Sequence, residues 1–316
     1  GNIATKGITS VTLGTSNFVA GSTAGDSIVS GGNYNTLIGD EAGTAITTGT
    51  HNVALGFSAL DANTTGSGNH AIGTSSLTNN TTGANNTSVG SGSLASNTTA
   101  SSNTAVGYTA LLANTTGTQN TAIGTQAMAV NTTGANNVAL GFLAMLNGTT
   151  ASDNIAVGVN ALYTNTTGTS NTALGRSALR YNTTASQNTA VGYNSLLANT
   201  TGASNTAVGM NALGANTTAN HNTAVGYSAL TTNTTGTRNT ASGFDSLLSN
   251  TTGIQNSAFG AYSLYSNTTG GYNTSVGDAS LYNNTTGSSN TAVGYVALAA
   301  NTTGTDSVAI GHSALL

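Results

Sequence analysis

Asparagine followed two residues later by threonine recurs along this chain, and it is the pattern that most directly suggests chemistry. Asn-x-Thr is the acceptor signal for N-linked glycosylation. Two interpretations are open: the column carries one glycan per repeat, or Asn and Thr form unmodified turn ladders. We expect the triplets to face solvent, because three polar groups per repeat are hard to satisfy inside a thin core. The candidate acceptors are Asn63, Asn80, Asn97, Asn114, Asn131, Asn147, Asn165, Asn182, Asn199, Asn216, Asn233, Asn250, Asn267, Asn284 and Asn301.

A second set of candidates is aromatic and follows a glycine that closes each repeat. An exposed column of such rings would stack on sugar rings or on another surface. The alternative is that the rings only pack the corners of the fold. The candidate surface-binding aromatics are Phe57, Tyr108, Phe142, Tyr193, Tyr227, Phe244 and Tyr295.

Residues for catalysis or metal binding are scarce. The four histidines lie in different repeats without metal-ligand spacing, no motif joins Ser, His and Asp into a triad, and Cys is absent. Asp26, Asp40 and Glu41 form at most a weak Ca²⁺ site with few ligands. We therefore predict no catalytic residue, no metal, no cofactor and no enzymatic activity.

Composition narrows the partners. Charged residues make up 4% of the chain, where an ordinary globular protein has about 25%. Four Lys and Arg residues cannot form a basic patch, so we expect no nucleic-acid partner. No apolar run approaches the roughly 18 residues of a membrane span, so we expect no membrane insertion in this segment.

A repeat of fixed length organises the chain. The glycine that ends the Asn-Thr-Ala-Val-Gly block recurs every 17 residues from Gly39 to Gly311, without insertion or deletion. Such constancy is typical of stacked coils, in which each coil is locked to the next by hydrogen bonds. Seventeen residues are too few for two helices and a turn. The sequence therefore predicts an all-β fold, a parallel β-solenoid or β-roll.

The repeat also assigns roles within a coil. Asn-Thr-Ala-Val-Gly predicts a strand, and the glycine is expected at a corner or a close backbone approach. We expect a second extended piece at Ala-Leu and a return at Asn-Thr-Thr-Gly, where Asn and Gly would adopt positive φ. Stacked asparagines should exchange amide hydrogen bonds. Two buried columns are predicted, one aliphatic before the glycine and one of Leu or Met after it: Val106, Leu111, Ile123, Met128, Val191, Leu196, Val225 and Leu230.

Self-association is expected from the small residues. Ala or Ser on both sides of the glycine would let another chain pack very close, which favours a trimer over a slim monomer. The chain stops in mid-repeat at Leu316, which favours a longer native chain or end-to-end stacking. The predicted partner is therefore the chain itself, as a homotrimer or an end-to-end filament. Residues 1–34 have irregular spacing and are expected to form variant coils or a cap, ahead of the regular repeats at 35–316.

The repeat resembles a known family. The motif N-T-A-V-G-Y-x-A-L at 103–111 and 222–230 resembles the head repeats of trimeric autotransporter adhesins, and Ser307-Val308-Ala309-Ile310-Gly311 matches their Ser-Val-Ala-Ile-Gly type of strand. The longer unit is similar to repeats of phage tail-fibre shafts and bacterial surface fibre proteins. The resemblance covers about residues 35–316, although this coil is longer than the usual adhesin-head unit. It implies a left-handed, usually trimeric β-roll, extracellular on a cell surface, filament or virion.

The expected function is a structural, surface-exposed fibre protein, either an adhesin or a fibre shaft. One alternative is a glycan- or surface-binding module that uses the aromatic column. The other is an ice-binding solenoid with ranked threonines. The adjacent threonines of Asn-Thr-Thr do not support a flat ice-binding face, because neighbouring residues of an extended chain point to opposite sides.

Overall fold

The computed structural model describes residues 13–316, so the predictions for residues 1–12 lie outside the described residues. The described chain is an all-β parallel solenoid with turns of about 17 residues and no helix, which confirms the predicted fold class. The chain divides into two compact units, Gly1–Asn154 and Ile155–Leu316. Each is described by itself.

Every coil contributes one strand of three residues. The first unit holds β1 (Phe18–Ala20), β2 (Thr36–Ile38), β3 (Val53–Leu55), β4 (His70–Ile72), β5 (Thr87–Val89), β6 (Thr104–Val106), β7 (Thr121–Ile123) and β8 (Val138–Leu140). The second unit holds β9 (Ile155–Val157), β10 (Thr172–Leu174), β11 (Thr189–Val191), β12 (Thr206–Val208), β13 (Thr223–Val225), β14 (Thr240–Ser242), β15 (Ser257–Phe259), β16 (Thr274–Val276), β17 (Thr291–Val293) and β18 (Val308–Ile310). Within each unit, successive strands pair in parallel and equivalent residues lie side by side.

Residues 188–204 serve below as the reference coil, with Asn188 at position 1 and Ser204 at position 17. The predicted second extended piece is wrong, because positions 7 and 9 have left-handed backbone, with φ of 55° at Asn194 and 49° at Leu196. The predicted positive φ at the Asn and Gly of the return is also wrong, since the third left-handed residue is Ser204 at 58°. After the strand, the chain is therefore a series of turns.

The glycine at position 5 is required by its surroundings, as predicted. Gly192 has a φ of +127°, and a Cβ built on it would lie 2.6 Å from the carbonyl oxygen of Gly209 in the next coil. That distance is far below any real contact, and the opposing atom is backbone that cannot move aside. The close approach of consecutive coils explains why this position holds glycine in all regular coils.

The core lies on the side of the strand opposite to the one expected. In the reference coil the central Ala190, Ser195 and Leu196 are fully buried, whereas Val191 points outward and is half-buried. The predicted burial of the Leu and Met column is confirmed at Leu111, Met128, Leu196 and Leu230, each fully buried. The predicted burial of the aliphatic column is wrong at Val106, Ile123, Val191 and Val225, of which Ile123 and Val225 are 42% and 41% exposed.

The physical reason is the volume available inside one coil. In a three-residue strand the central side chain points opposite to its neighbours, so either the alanine or the flanking pair faces inward. Leu196 already fills the interior, and its burial is worth about 2–3 kcal/mol, which offsets the roughly 1–2 kcal/mol cost of a left-handed leucine. Only a side chain as small as that of Ala or Ser fits opposite it.

The first regular coil encloses the same side-chain volume, but its large side chain is at the strand centre and its small residue is at the position of the usual leucine. Leu37 occupies the strand centre, and Gly43 stands where the other coils have leucine. A Cβ on Gly43 would lie 2.9 Å from a Leu37 methyl, so the large side chain fills the space across the coil. Val19 and Gly25 repeat this exchange in the coil before it.

The irregular N-terminal segment includes a coil of 18 residues. β1 pairs with β2 through Phe18 and Thr36, an offset of 18. The side chain of Asn17 donates to the carbonyl of Gly32, where regular coils bond one residue earlier. The extra residue therefore lies in the turn between Ile28 and Gly32, and the strand side of the coil is unchanged.

Inward and outward positions can be tested with one pair of substitutions. Leu196→Asp should lower the free energy of unfolding by about 4 kcal/mol, because a charge would enter a dry, filled interior. Val191→Asp should cost about 1 kcal/mol or less, because that side chain reaches water. Chemical denaturation midpoints of the two variants measure the difference, and equal losses would contradict the assignment of faces.

Candidate functional surfaces

The asparagine at position 1 forms a continuous buried ladder. Asn188 is fully buried, and its side-chain oxygen accepts the backbone N–H of Asn205 at 2.9 Å and the side-chain amide of Asn205 at 3.2 Å. Its own amide donates to the carbonyl of Gly202 at 3.0 Å. Each strand asparagine thus joins its coil to the next one and also closes its own coil.

The asparagine of the Asn-Thr-Thr triplet forms a second buried ladder at position 12. Asn199 donates to the side-chain oxygen of Asn182 at 2.9 Å and to the carbonyl of Gly202 at 2.9 Å, and its oxygen accepts from Asn216 at 2.8 Å. The Gly202 carbonyl therefore accepts from both ladders, which uses its two lone pairs. Position 15 is buried beside this amide, which explains why it holds only Gly or Ala.

The prediction that the triplets face solvent is wrong for their asparagines. The column residues from Asn63 to Asn284 are fully buried, with both amide hydrogens donated where the ladder is continuous. The threonine after them is half-buried and donates its hydroxyl along the axis, as Thr200 does to the carbonyl of Thr217 at 3.0 Å. From Asn63 to Asn284, only the second threonine of each triplet is exposed. Polar groups that one coil cannot satisfy are satisfied by the adjacent coils.

Glycosylation of the column stays a prediction, and the fold disfavours it. Two of the predicted acceptors differ from the rest: Asn301, in the last full coil, is half-buried but still bonded to Asn284, and Asn147 lies outside the column. Sequence reasoning also missed acceptor triplets that overlap the two ladders: Asn79-Asn-Thr and Asn283-Asn-Thr overlap the column, and Asn85-Asn-Thr overlaps the strand asparagine Asn86. Testing every Asn for a threonine two residues later, instead of following the repeat, would have found them.

The predicted aromatic residues are exposed, but they do not form one column. Phe57, Tyr108, Phe142 and Tyr193 are 44–58% exposed, and none of them contacts another aromatic ring among the described residues. Their counterparts in adjacent coils of the same unit are residues such as Asp40 and Thr74. Tyr295 lies against His312, with ring centres 5.1 Å apart.

The remaining two belong to an aromatic cluster in the second unit, which we define as Tyr227, Phe244, Tyr262, Tyr265 and Tyr282. Tyr227 and Phe244 are stacked at 5.2 Å, and Tyr265 and Tyr282 at 5.0 Å. Tyr262 joins the two pairs. Because the stacked rings cover each other's inner faces, the cluster offers mainly ring edges to a ligand. Its last three members do not directly follow a repeat glycine, so the sequence pattern did not identify them.

The outer sheet face is the other extended surface. We define it as the side chains at positions 2 and 4 of each coil, which are the first and last residues of its strand. In the second unit its most regular part pairs Thr172, Thr189, Thr206 and Thr223 with Leu174, Val191, Val208 and Val225. The threonine hydroxyls make no hydrogen bond within the described chain, and β9–β18 contain no charged residue. At about 4.8 Å between strands and 3.3 Å per residue, this face covers roughly 500 Å², the size of the largest apolar patch on a typical monomer.

The acidic residues near the first regular coil are engaged by the fold. Asp40 accepts the backbone N–H of Ser22 at 2.9 Å, which lowers the pKa of its carboxyl, and Glu41 accepts the hydroxyl of Ser58 at 2.6 Å. Burial raises the pKa of Asp245. Among residues 13–316, no three His, Asp or Glu side chains group as metal ligands.

Buried serines form two equivalent clusters. Ser88 at a strand centre bonds to Ser76 of the preceding coil and to Ser93 of its own. Ser263, Ser275 and Ser280 repeat this arrangement. Serine replaces the central alanine only in these two coils, where both partners are also serine. The clusters are closed to solvent and satisfy each other, so they are structural.

Comparison with known proteins adds no relative: no family model, curated protein or solved structure matches the chain. No helix in the described part of the chain is long and apolar enough to cross a membrane.

The turn ladder is interrupted once in the first unit. Where the other coils from Asn63 onward have asparagine, residues 137–153 have Gly148, because the triplet is shifted to Asn147. Asn131 in the preceding coil keeps its bonds to Asn114 and Gly134, but its buried side-chain oxygen has no hydrogen-bond partner. An unsatisfied buried acceptor costs about 1–3 kcal/mol.

Gly148→Asn should therefore stabilise the protein. The new amide would donate to Asn131 and to the Ala151 carbonyl, as its equivalents do, and the φ of Gly148 is not positive. We expect a gain of about 1–2 kcal/mol in the free energy of unfolding. Gly148→Ala is the matched control, which restricts the unfolded chain without supplying an amide. If the alanine variant were equally stable, the ladder would not be the source of the gain.

Proposed function

We propose that this chain is a structural repeat protein of a surface-exposed fibre or filament, extracellular on a cell, filament or virion, without catalytic activity. The observation that carries the proposal is the pair of buried asparagine ladders. They join each coil to its neighbours through side chains as well as backbone. A protease must draw an extended segment out of its structure, which here requires breaking both ladders. Such a construction suits a load-bearing or spacing role.

Self-association is part of this proposal, on a different basis from the one the sequence suggested. The small residues, for example Ala190 and Ser195, are inside the coil and cannot contact another chain. The outer sheet face supports self-association instead, because it places a row of exposed aliphatic side chains beside uncharged threonines. Its area of roughly 500 Å² approaches the ~800 Å² per partner of a standard interface.

Sedimentation of matched variants tests this proposal. At tens of micromolar, the wild-type chain should sediment as an assembly, a homotrimer or a longer filament. The double variant Val208→Lys/Val225→Lys should sediment as a monomer, because two charges would be buried in the contact. Thr218→Lys/Thr235→Lys, on an exposed turn, is the control and should leave the assembly intact. A monomeric wild-type protein would reject self-association through this face.

Ice binding is a second candidate function, favoured by the free threonine hydroxyls of the same face. Thr206 and Val208 are outward neighbours on one strand, about 6.6 Å apart, and the pattern repeats about every 4.8 Å from coil to coil. A flat, uncharged array of hydroxyl and methyl groups can hold water in a fixed pattern. The aromatic surfaces give less support to glycan binding, because the rings of the cluster cover each other and the other exposed rings do not form a column.

Thermal hysteresis separates the two uses of the outer sheet face. If the face binds ice, a monomeric protein should show hysteresis, and Thr206→Tyr should abolish most of it by breaking the flat array. Thr218→Tyr, on the exposed turn, should retain it. Absence of hysteresis in the wild-type protein would reject ice binding.

A further inference from the structure

Among the acceptor triplets, those that keep their asparagine outside the ladders form a small set. Asn79, Asn147 and Asn283 all occupy position 11, one residue before the column, and Asn85 occupies position 17. Asn79, Asn85 and Asn283 are exposed, and Asn147 is half-buried. None of these four side chains donates a hydrogen bond to another coil's ladder. Each has threonine two residues later, at Thr81, Thr87, Thr149 and Thr285.

We infer that N-linked glycosylation of the folded chain is confined to Asn79, Asn85, Asn147 and Asn283, and that the Asn-Thr-Thr column is not an acceptor. The donor is a lipid diphosphate-linked oligosaccharide. The amide nitrogen attacks C1 of the first sugar, the bond from C1 to the diphosphate oxygen breaks, the lipid diphosphate leaves, and the nitrogen loses one proton. The product nitrogen carries one sugar and one hydrogen.

Glycosylation requires an amide nitrogen that is not held in a ladder and open space for the sugar. The column residues from Asn63 to Asn284 lack that space in the folded protein, and Asn301 donates both of its amide hydrogens. Asn80 donates both amide hydrogens, to Asn63 at 2.9 Å and to the Gly83 carbonyl at 2.9 Å, and it is fully buried. A sugar on this nitrogen would break at least one of these bonds and occupy space that adjacent coils fill. The same holds for Asn86 and Asn273, strand asparagines that belong to Asn-Thr-Ser triplets but are buried in the other ladder.

Position 11 satisfies both requirements. Asn79 and Asn283 are exposed there, so a sugar on either side chain would project into solvent and leave the ladder of Asn80 or Asn284 intact. Crowding between the position-11 sites is also avoided. One glycan per coil would place neighbours about 4.8 Å apart, whereas Asn79 and Asn147 are separated by four coils of the first unit, about 19 Å.

Adjacent threonines allow a sharp test, because Asn79 and Asn80 depend on different ones. The acceptor triplet of Asn79 requires Thr81, and that of Asn80 requires Thr82. The full chain is secreted from a host that carries out N-glycosylation, with an appended reporter triplet, and glycopeptides of the folded, protease-resistant fraction are mapped by mass spectrometry. We expect occupancy at the four sites outside the ladders and none in the column. Thr81→Ala should remove the glycan from Asn79, and Thr82→Ala should leave it unchanged.

A second variant guards against misfolding, because Thr81 also donates its hydroxyl to the Thr98 carbonyl. Asn79→Gln removes the acceptor without touching that bond, and it should lose the glycan with an unchanged melting temperature. A glycan on Asn80 or any other column asparagine of the folded fraction would overturn the inference. So would four empty sites beside an occupied reporter. Neither result depends on whether the chain forms fibres.

Discussion

The buried asparagine amide is the interaction on which the rest of this structure depends. An amide in a dry interior must find partners for two hydrogens and an oxygen. In the turn ladder one hydrogen goes to a carbonyl of the same coil, while the other hydrogen and the oxygen pair with the equivalent asparagines of the two adjacent coils. A residue added in the turn would separate a turn-ladder amide from its partner, whereas the strand ladder accommodates one, since Asn35 still donates its backbone N–H to Asn17 across 18 residues. The 18-residue coil supports this explanation, because its extra residue lies between Ile28 and Gly32, where Ile28 and Ile46 replace the turn asparagines. Constant repeat length is therefore a hydrogen-bonding constraint.

Departures from the consensus are compensated locally, and this shows how tightly the interior is specified. Leu37 at a strand centre occurs with Gly43 across the coil, which keeps the enclosed volume constant. Ser88 and Ser275 each occur where two neighbouring serines can bond to them. The exception is Gly148, which leaves the Asn131 oxygen without a partner. Close packing and hydrogen bonding thus constrain the interior separately: packing requires size exchanges such as Leu37 with Gly43, and hydrogen bonding requires that buried serines occur together.

The period, the strand, the corner glycine and the buried leucine column could be predicted from the sequence, because each follows from repetition or from a single residue's conformational need. The orientation of the strand could not. In Thr189-Ala190-Val191, hydrophobicity favours burying valine, and only the volume taken by Leu196 reverses that choice. The burial of Asn199 was missed for a related reason: its partners, Asn182 and Asn216, belong to other coils. When one coil is considered alone, the Asn199 amide lacks hydrogen-bond partners, but stacking of the coils supplies them.

This division between interior and exterior bears on where function can reside. Seven positions of each coil lie in the ladders, in the filled interior or at the close contact between coils, so substitutions there are limited to a few residue types. These are positions 1, 3, 5, 8, 9, 12 and 15. Five other positions carry no side-chain ladder, namely 6, 7, 10, 11 and 17. They hold the aromatic cluster, Arg180 with its two neighbouring tyrosine rings, and the acceptor asparagines outside the ladders. The interior makes every coil equivalent, while these outer positions distinguish one coil from another. A partner that recognises a particular segment must therefore contact the variable side chains of the turns, whereas a partner that binds along many coils can contact the repeating outer sheet face.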